Sequence, residues 1–491
     1  MRLTIAALVS ALAVPASAQT SGAAPGPTFD AQGWIADLQQ VRAAMGSHYA
    51  NLDWAVNERE APLGQLFTVG EQRLGAARSD ADAREVFERL ETYLGDGHVD
   101  FVWPTGAAMT GASTEAGPDT RPPCDQLGFK ANGRDGSAIA SRLPGYQPLP
   151  GESGFLAGIV EVAGRKVGVV RIAMMSAQIH PAACAAAFAA MSRPAHTPCD
   201  DDCLDDLKTM ATDRVTEDLS GRLRALKAAG AEVLLVDLAG NGGGSEWAEV
   251  AVRVFTDIRL KSERVAFPRH AHWVGNFADD EQRLAQAARG QSRDDRVRLD
   301  GWRAVFTQAR EEAATPCDAG PLFSGGKLEC DWLTTAPLYS TGPVAELDPA
   351  LIGKPWAAEV FTPLRYRFEP GVWSGPLMVL VDRATASASE EFVAVLQDNR
   401  AAVVVGSPTR GAGCGHANGE IETVLAHSGA KLRLPNCARL RADGTNEVSG
   451  IDPDVLVGFR ENDGNRRRAA RLEAALPAAV AAAAALRSGA R

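Results

Sequence analysis

The fold of this chain is decided by residues 377–398, LMVLVDRATASASEEFVAVLQD. The apolar run at 377–381 predicts a buried strand, and the apolar spacing after residue 391 predicts a helix. Small and hydroxyl-bearing residues form the turn between them. Such a turn can expose a nucleophile beside the backbone N–H groups of a helix N-terminus, which can receive an oxyanion. The alternative interpretation is an ordinary helix cap, in which Ser387 and Glu390 form a capping box.

The N-terminal segment has the pattern of a secretory signal peptide over residues 1–18. It contains one arginine, an apolar run and the sequence Ala16-Ser17-Ala18 before Gln19. We therefore expect the protein to be exported, either periplasmic or secreted. No later segment reaches about 18 uninterrupted apolar residues, so no membrane span is predicted. The alanine-rich residues 474–486 are expected to form a surface helix.

All eight cysteines follow the signal peptide, and an even number in an exported chain predicts disulfide bonds. Short sequence separations favour three local pairs: Cys199–Cys203, Cys317–Cys330 and Cys414–Cys437. Cys124 and Cys184 are then paired by elimination. A zinc site beginning with His196, Cys199 and Cys203 is the alternative, but a fourth ligand is missing. We predict no metal and no other cofactor.

The sequence has 491 residues and a formal net charge of −11. A chain of this length can bury a large core and suggests two or three domains. The negative charge disfavours nucleic acids and anionic membranes as partners. The three consecutive arginines at 466–468 are interpreted as a solvated helix face.

The composition of the sequence changes several times along the chain. After the signal peptide we predict a disordered leader at 19–29, an N-terminal helical domain at 30–103, an irregular linker or small module at 104–157, a core at 158–460 and a C-terminal helix at 461–491. Within the core, residues 258–372 are polar and show no regular period, so we interpret them as an irregular insertion. Strands and helices alternate through the rest of the core, which predicts an α/β fold.

The first half of the core contains the clearest strand signals. A β-hairpin is predicted from residues 158–162 and 167–172. A helix at 204–229 then leads to a buried strand at 233–238. The glycine-rich segment 240–244 follows this strand, and it lacks the Lys-Ser/Thr that would indicate a P-loop.

Four motifs occur along the chain: LGDGH at 94–98, DLAGNGGG at 237–244, TASASE at 385–390 followed by VGSPTRG at 405–411, and EVSGIDPD at 447–454. In this order they resemble the motifs of the tail-specific, or C-terminal processing, serine peptidases. The resemblance covers most of residues 30–105 and 158–460. It implies a crotonase/ClpP-like ββα spiral core with a small N-terminal helical domain.

The chain departs from the family pattern at the base. The processing peptidases use a Ser/Lys dyad, and Ala412 occupies the position of their lysine. The tricorn-like branch uses a histidine from the helical domain supported by a glutamate, and His98 and Glu447 match these residues. Gly97 replaces the serine that precedes this histidine in tricorn. Residues 104–157 show no evident PDZ domain.

The resemblance and the chemistry of the residues suggest the following roles. Ser387 is the expected nucleophile, because a neighbouring neutral histidine can activate its hydroxyl. His98 is the expected base, and Glu447 is expected to orient its other ring nitrogen, as in a Ser-His-Asp triad. The backbone N–H groups of Gly243 and Ala388 are expected to form the oxyanion hole.

Two other residues compete for these roles. His416 lies four residues after the vacated lysine position and is the alternative base. A Cys414–Cys437 disulfide could hold its loop near the site. Ser389 is the alternative nucleophile.

The function predicted from the sequence is an exported serine peptidase that hydrolyses peptide bonds through an acyl-enzyme on Ser387. Its partner would be a peptide or protein substrate. One alternative is a catalytically inactive, peptide-binding member of the fold, because the lysine is missing and Gly97 replaces a serine. Another is an esterase, because the same groups can cleave esters. Oligomeric state and side-chain preference are not predicted.

Overall fold

A computed structural model describes residues 29–104, 121–131, 138–192 and 199–489. The predicted signal peptide, nearly all of the predicted leader and His196 lie outside these residues.

The N-terminal part is helical. It comprises α1 (Ala31–His48), α2 (Leu52–Asn57), α3 (Leu63–Ala76) and α4 (Asp80–Leu94), followed by strand β1 (Asp100–Val102). The side chain of Ser79 caps the start of α4 by accepting the N–H of Asp82. Gly95 ends the helix in the left-handed conformation, with φ of 67°. After this helix C-cap the chain changes direction and enters the short segment that contains His98.

The core begins with a short helix and a β-hairpin. The elements up to residue 254 are α5 (Pro123–Gln126), β2 (Gln147–Pro148), β3 (Ala157–Val162), β4 (Arg165–Arg171), α6 (Pro181–Ala190), α7 (Asp201–Ala228), β5 (Val233–Asp237) and α8 (Trp247–Val254). β3 and β4 are antiparallel, with Ala157 opposite Val170 and Val162 opposite Arg165. The predicted hairpin is therefore present.

The segment 258–372 is more regular than its sequence suggested. It contains β6 (Arg264–Ala266) and two long helices, α9 (Ala271–Ala287) and α10 (Arg293–Ala313). Their apolar residues are few but lie on one face, so that Trp273, Phe277 and Phe306 share a buried cluster. The prediction of an irregular segment was wrong because the many charged residues of the outer faces hid this period.

The remaining elements complete the central sheet. They are β7 (Leu377–Val381), α11 (Ala388–Asp398), β8 (Val403–Gly406), β9 (Thr423–Val424), β10 (Lys431–Arg433), β11 (Ala438–Leu440), β12 (Val455–Leu456) and α12 (Asn465–Gly489). The seven-stranded sheet has the order β12-β8-β7-β5-β4-β3-β2. Because β5 and β7 are parallel neighbours, the turns after them lie at the same edge of the sheet. These are the glycine-rich turn and the hydroxyl-rich turn.

Helices cover both faces of this sheet. On one face, α7, α8 and α11 share an apolar core with the strands. On the other face, Leu472, Leu476 and Val480 of α12 are buried against the sheet. By length and composition α12 could cross a membrane. In this fold its apolar side packs against the central sheet.

The N-terminal helices share their apolar core with two later parts of the chain. Residues 317–333 and 425–434 contribute buried side chains to it. β1 also pairs with β10, and β10 pairs with β9, in a separate three-stranded sheet. The pairing of β1 with β10 fixes the segment around His98 against residues that lie more than 300 positions later.

Four disulfide bonds join the eight cysteines in the predicted pairs: Cys124–Cys184, Cys199–Cys203, Cys317–Cys330 and Cys414–Cys437. The sulfurs of Cys199 and Cys203 are bonded to each other and are therefore not available as the thiolate ligands of the alternative zinc site.

Candidate active site

Ser387 stands at the turn between β7 and α11 in a strained backbone conformation. Its φ is 56° and its ψ is −126°, although a residue with a side chain rarely adopts a positive φ. Such strain is typical of a nucleophile turn between a strand and a helix. Ser387 is partly exposed. Ser389 is buried, and its Oγ has no hydrogen-bond partner within the described residues.

The glycine-rich turn after β5 lies directly against this serine. A Cβ atom at position 243 would be 2.7 Å from the Cβ of Ser387 and 3.0 Å from the nitrogen of Ala388. Gly243 also has φ of 99°, so only glycine fits without strain. The structure thus brings both predicted oxyanion donors to the nucleophile.

Only one of these two N–H groups has no acceptor among the described residues. The Gly243 N–H donates to Oδ1 of Asn241 at 3.0 Å, because the asparagine side chain folds back over its own turn. Asn241 is itself fixed by donating from Nδ2 to the Ile172 carbonyl at 3.0 Å. The Ala388 N–H is the first of α11, and the first N–H groups of a helix have no intrahelical acceptor. The expected pair of donors is therefore reduced to Ala388 here.

His98 is held by contacts on both its backbone and its ring. Oδ1 of Asp96 accepts the His98 N–H at 2.9 Å. Oδ2 of Asp96 accepts from Tyr49 Oη at 3.0 Å and from Asn51 Nδ2 at 2.8 Å, so this carboxylate is anchored to the first helices. His98 Nδ1 lies 2.6 Å from the carbonyl oxygen of Ala412. A carbonyl can only accept, so Nδ1 carries the proton and Nε2 is the basic nitrogen.

Burial also keeps this ring neutral. It lowers the pKa of His98, and the nearby charge of Asp96 opposes that shift only in part. A neutral imidazole with a free Nε2 has the protonation state that a general base requires.

Glu447 does not contact the ring as the sequence suggested. Its carboxylate is completely buried and accepts from Arg439, at 2.5 Å from Nε and 2.9 Å from Nη2. The contact to Nδ1 of His98 is made instead by the Ala412 carbonyl. The prediction that Glu447 orients His98 directly was therefore wrong. Glu447 is the counter-ion of Arg439, and it is connected to the site only through this arginine.

Arg439 is the site residue that no sequence motif indicated. Its Nη2 donates to the carbonyl of Gly413 at 3.0 Å and lies 3.4 Å from the carbonyl of Ser387. Its Nη1 is 2.9 Å from a carboxylate oxygen of Glu391. Burial raises the pKa of Glu391, and the charge of Arg439 opposes that shift. Arg439 therefore ties the nucleophile turn to the loop after β8.

His416, the alternative base, also lies beside this site. The centroids of its ring and the ring of His98 are 5.8 Å apart, and the rings are nearly perpendicular. The Nε2 of His416 is buried without a hydrogen-bond partner among the described residues. Burial is the main cause that lowers the pKa of His416 to about 4; the second cause is the repulsion that His416 and His98 would exert on each other when protonated. A base that weak is poorly matched to neutral pH.

The two departures from the family pattern face each other. A Cβ atom at position 97 would lie 2.9 Å from the Cβ of Ala412. The Gly97 N–H also lies 3.3 Å from the carbonyl of Gly411. A serine at 97 would therefore require these segments to separate. The small residues permit the close approach by which the Ala412 carbonyl reaches His98.

No hydrogen bond joins Ser387 to His98 among the described residues. Both are instead attached to the segment 410–413. The Ala412 carbonyl contacts His98, and Arg439 connects the carbonyl of Ser387 to that of Gly413. Catalytic hydrogen bonds are often long without substrate and tighten when it binds. The absence of a Ser387–His98 hydrogen bond in this structure is therefore compatible with activation of Ser387 by His98 once substrate binds.

Gly415→Ala is expected to lower kcat/KM by roughly 100-fold, because a small displacement of a reacting group has an effect of this size. A Cβ at position 415 would lie 2.7 Å from Nε2 of His98 and would push the ring away. Gly419→Ala is the matched control: Gly419 also has a positive φ, of 86°, but a Cβ there meets nothing within 4 Å. Steady-state kinetics on both variants measures the difference. Equal losses in the two would show that backbone strain, not the histidine, is responsible.

Comparison with known proteins places this fold. The model of peptidase family S41 matches residues 166–457, which is more than half of the chain. The structure of mature CPAF complexed with lactacystin superposes with a TM-score of 0.58 at 15% identity, over 92% of this chain and 99% of that one. A second structure of mature CPAF gives a TM-score of 0.57 at 16% identity, over 92% and 98%. At such identities these structures show a shared fold.

The family match first defines the class of protein, a serine-type peptidase and thus a hydrolase. Within that class, the chain belongs to peptidase family S41. The resemblance to the tail-specific peptidases and the α/β fold expected from it are thereby confirmed.

Proposed function

We propose that this protein is an exported serine peptidase in which Ser387 is the nucleophile and His98 the base. The observation that carries the proposal is the contact between His98 Nδ1 and the carbonyl of Ala412, at 2.6 Å. Ala412 occupies the position of the lysine in the Ser/Lys members of the family. Its backbone thus orients a histidine where its side chain would otherwise have supplied an amine.

The proposed reaction proceeds through an acyl-enzyme. Nε2 of His98 takes the proton of Ser387 Oγ while Oγ bonds to the carbonyl carbon of the substrate. The Ala388 N–H stabilises the resulting oxyanion. When the intermediate collapses, the C–N bond breaks and His98 returns the proton to the leaving amine. Water then attacks the ester by the same route in reverse, which releases the acid and restores Ser387.

Glu447 is assigned a supporting role in this mechanism. Its buried carboxylate neutralises Arg439, and the arginine contacts the carbonyl groups of Ser387 and Gly413. An unpaired buried guanidinium would be unstable, so Glu447 is needed to keep Arg439 in place. The pair thereby holds the nucleophile turn and the loop after β8 in one arrangement.

Export is proposed on two observations. The first 18 residues have the pattern of a signal peptide. The cysteines form four disulfide bonds, which persist in oxidising compartments such as the periplasm or the extracellular space. We also retain the predicted division of the chain into a helical N-terminal domain, a core and a C-terminal helix as a proposal.

Digestion of a peptide library tests the proposed activity. The purified mature protein should produce new peptide termini, detected by mass spectrometry, that are absent with Ser387→Ala. Aryl esters serve as parallel substrates. Turnover of esters without any peptide cleavage would identify an esterase. Peptide binding without turnover of either substrate would identify an inactive, peptide-binding member of the family.

A further inference from the structure

Glu390 is a completely buried carboxylate in the first turn of α11. Its Oε1 accepts from Oγ1 of Thr409 at 2.5 Å and from the N–H of Gly411 at 2.7 Å. Its Oε2 accepts from the N–H of Ser387 at 2.8 Å and from the N–H of Ala412 at 2.9 Å. Four donors from two separate segments therefore converge on one carboxylate.

These contacts connect the nucleophile and the base in a continuous path. One oxygen of Glu390 touches both the amide of Ser387 and the amide of Ala412. The carbonyl of Ala412 in turn accepts from Nδ1 of His98. The path runs from the backbone of the nucleophile through a single carboxylate and a single residue to the ring of the base.

Capping alone does not account for this arrangement. A capping-box glutamate satisfies one N–H at the start of its helix, here the N–H of Ser387. The other three donors belong to residues 409–412, which follow β8. Ser387 also has a positive φ, and such strain persists only where the surrounding contacts enforce it. The shared oxygen is placed to enforce both the turn and its spacing from the loop.

We propose that Glu390 is the positioning residue that sets the distance between Ser387 and His98, by bridging the nucleophile turn to the loop whose carbonyl holds the histidine. This inference rests on the proposed roles of Ser387 and His98. Glu390 does not touch the reacting atoms, so its effect is on kcat rather than on substrate binding.

Two variants test the bridge. Glu390→Gln has one acceptor oxygen instead of two and turns an NH₂ group toward N–H donors. Glu390→Asp keeps the charge but is one methylene shorter and cannot reach both segments. Asp398→Asn is the matched control. Asp398 lies at the other end of the same helix and, like Glu390, accepts from one side chain, that of Arg441, and from a backbone N–H, that of Ala442.

Both Glu390 variants are expected to lower kcat by about 10- to 100-fold with KM changed less than about 3-fold. The reaction rate of a fluorophosphonate with Ser387 should fall in parallel. The acid limb of the kcat/KM profile should move to higher pH, since a less fixed and less buried His98 has a higher pKa. Asp398→Asn should keep both kcat and the acid limb.

Measurements are made well below the unfolding temperature of each variant, which thermal denaturation provides. A role in stability alone would lower that temperature but leave kcat and the acid limb unchanged, and this result would overturn the proposal. A kcat equal to that of the wild type in Glu390→Asp would also overturn the proposal, even if Glu390→Gln fails to fold. Failure of the proposed function is seen separately, as a wild-type protein that is not labelled at Ser387.

Discussion

Ser387→Ala is expected to lower kcat/KM for peptide hydrolysis by at least about 10⁴-fold, the order of effect seen when a nucleophile is removed from a serine peptidase. The midpoint of thermal unfolding should change little. The hydroxyl is partly exposed, and the Glu390 side chain accepts from the backbone N–H of Ser387, which alanine retains. Alanine loses only the capping contact of the hydroxyl with the Glu390 N–H, which costs about 1 kcal/mol. Steady-state kinetics and thermal denaturation of the same preparation measure the two effects.

Ser389→Ala is the control for this prediction. It removes a hydroxyl two residues away whose oxygen is buried without a partner among the described residues. Removing an unsatisfied buried hydroxyl leaves stability unchanged or slightly improved, and activity should stay near the wild-type value. Loss of activity only in Ser389→Ala would move the nucleophile. A large loss of stability in Ser387→Ala would show that the hydroxyl serves the helix cap.

His98→Ala is expected to have the second largest effect, a loss of about 10⁴-fold in kcat/KM, because no other group would remove the proton of Ser387. His416→Ala should retain most of the activity, since a ring with a pKa of about 4 is a weak base. In the wild type, kcat/KM should rise with pH as His98 becomes neutral. The midpoint should lie below the ordinary histidine pKa, because burial lowers the pKa of His98.

The two histidine variants also show how the assignment would fail. Loss of activity only in His416→Ala would keep the peptidase but transfer the base to the loop closed by the Cys414–Cys437 disulfide. Full activity in both variants would remove histidine from the mechanism. An acid limb at or above the ordinary histidine pKa would contradict the buried, neutral ring.

The parts of the site that sequence analysis located are those defined by local patterns. The strand before Ser387 and the helix after it have clear apolar periods, and the glycines at 242–244 follow a buried strand directly. A parallel α/β sheet brings such turns together when their strands are neighbours. The sequence therefore located the two turns, and the pairing of β5 with β7 in the structure brings them to one edge.

The contacts that arrange the site are not local and were missed for that reason. Arg439 lies in Asn436-Cys437-Ala438-Arg439-Leu440, a stretch without a motif, yet it binds Glu447 and reaches the carbonyl of Gly413. Glu390 was visible only as a helix cap, although three of its four donors come from residues 409–412. A sequence shows the charge of such residues but not which partner neutralises it.

The departures at positions 97 and 412 illustrate the same limit. Each could be read from the sequence as the loss of a family side chain. Only the structure shows that a Cβ at position 97 would lie 2.9 Å from the Cβ of Ala412. The two positions that depart from the family pattern are therefore in contact with each other. The small side chains allow the Ala412 carbonyl to approach His98.

The most direct test of an activated serine is labelling of the purified, disulfide-bonded protein with a fluorophosphonate, with the modified residue located by mass spectrometry. The predicted result is modification of Ser387 that is lost in His98→Ala and retained in His416→Ala. A folded protein that is not labelled, or that is labelled on a residue other than Ser387, would contradict the account.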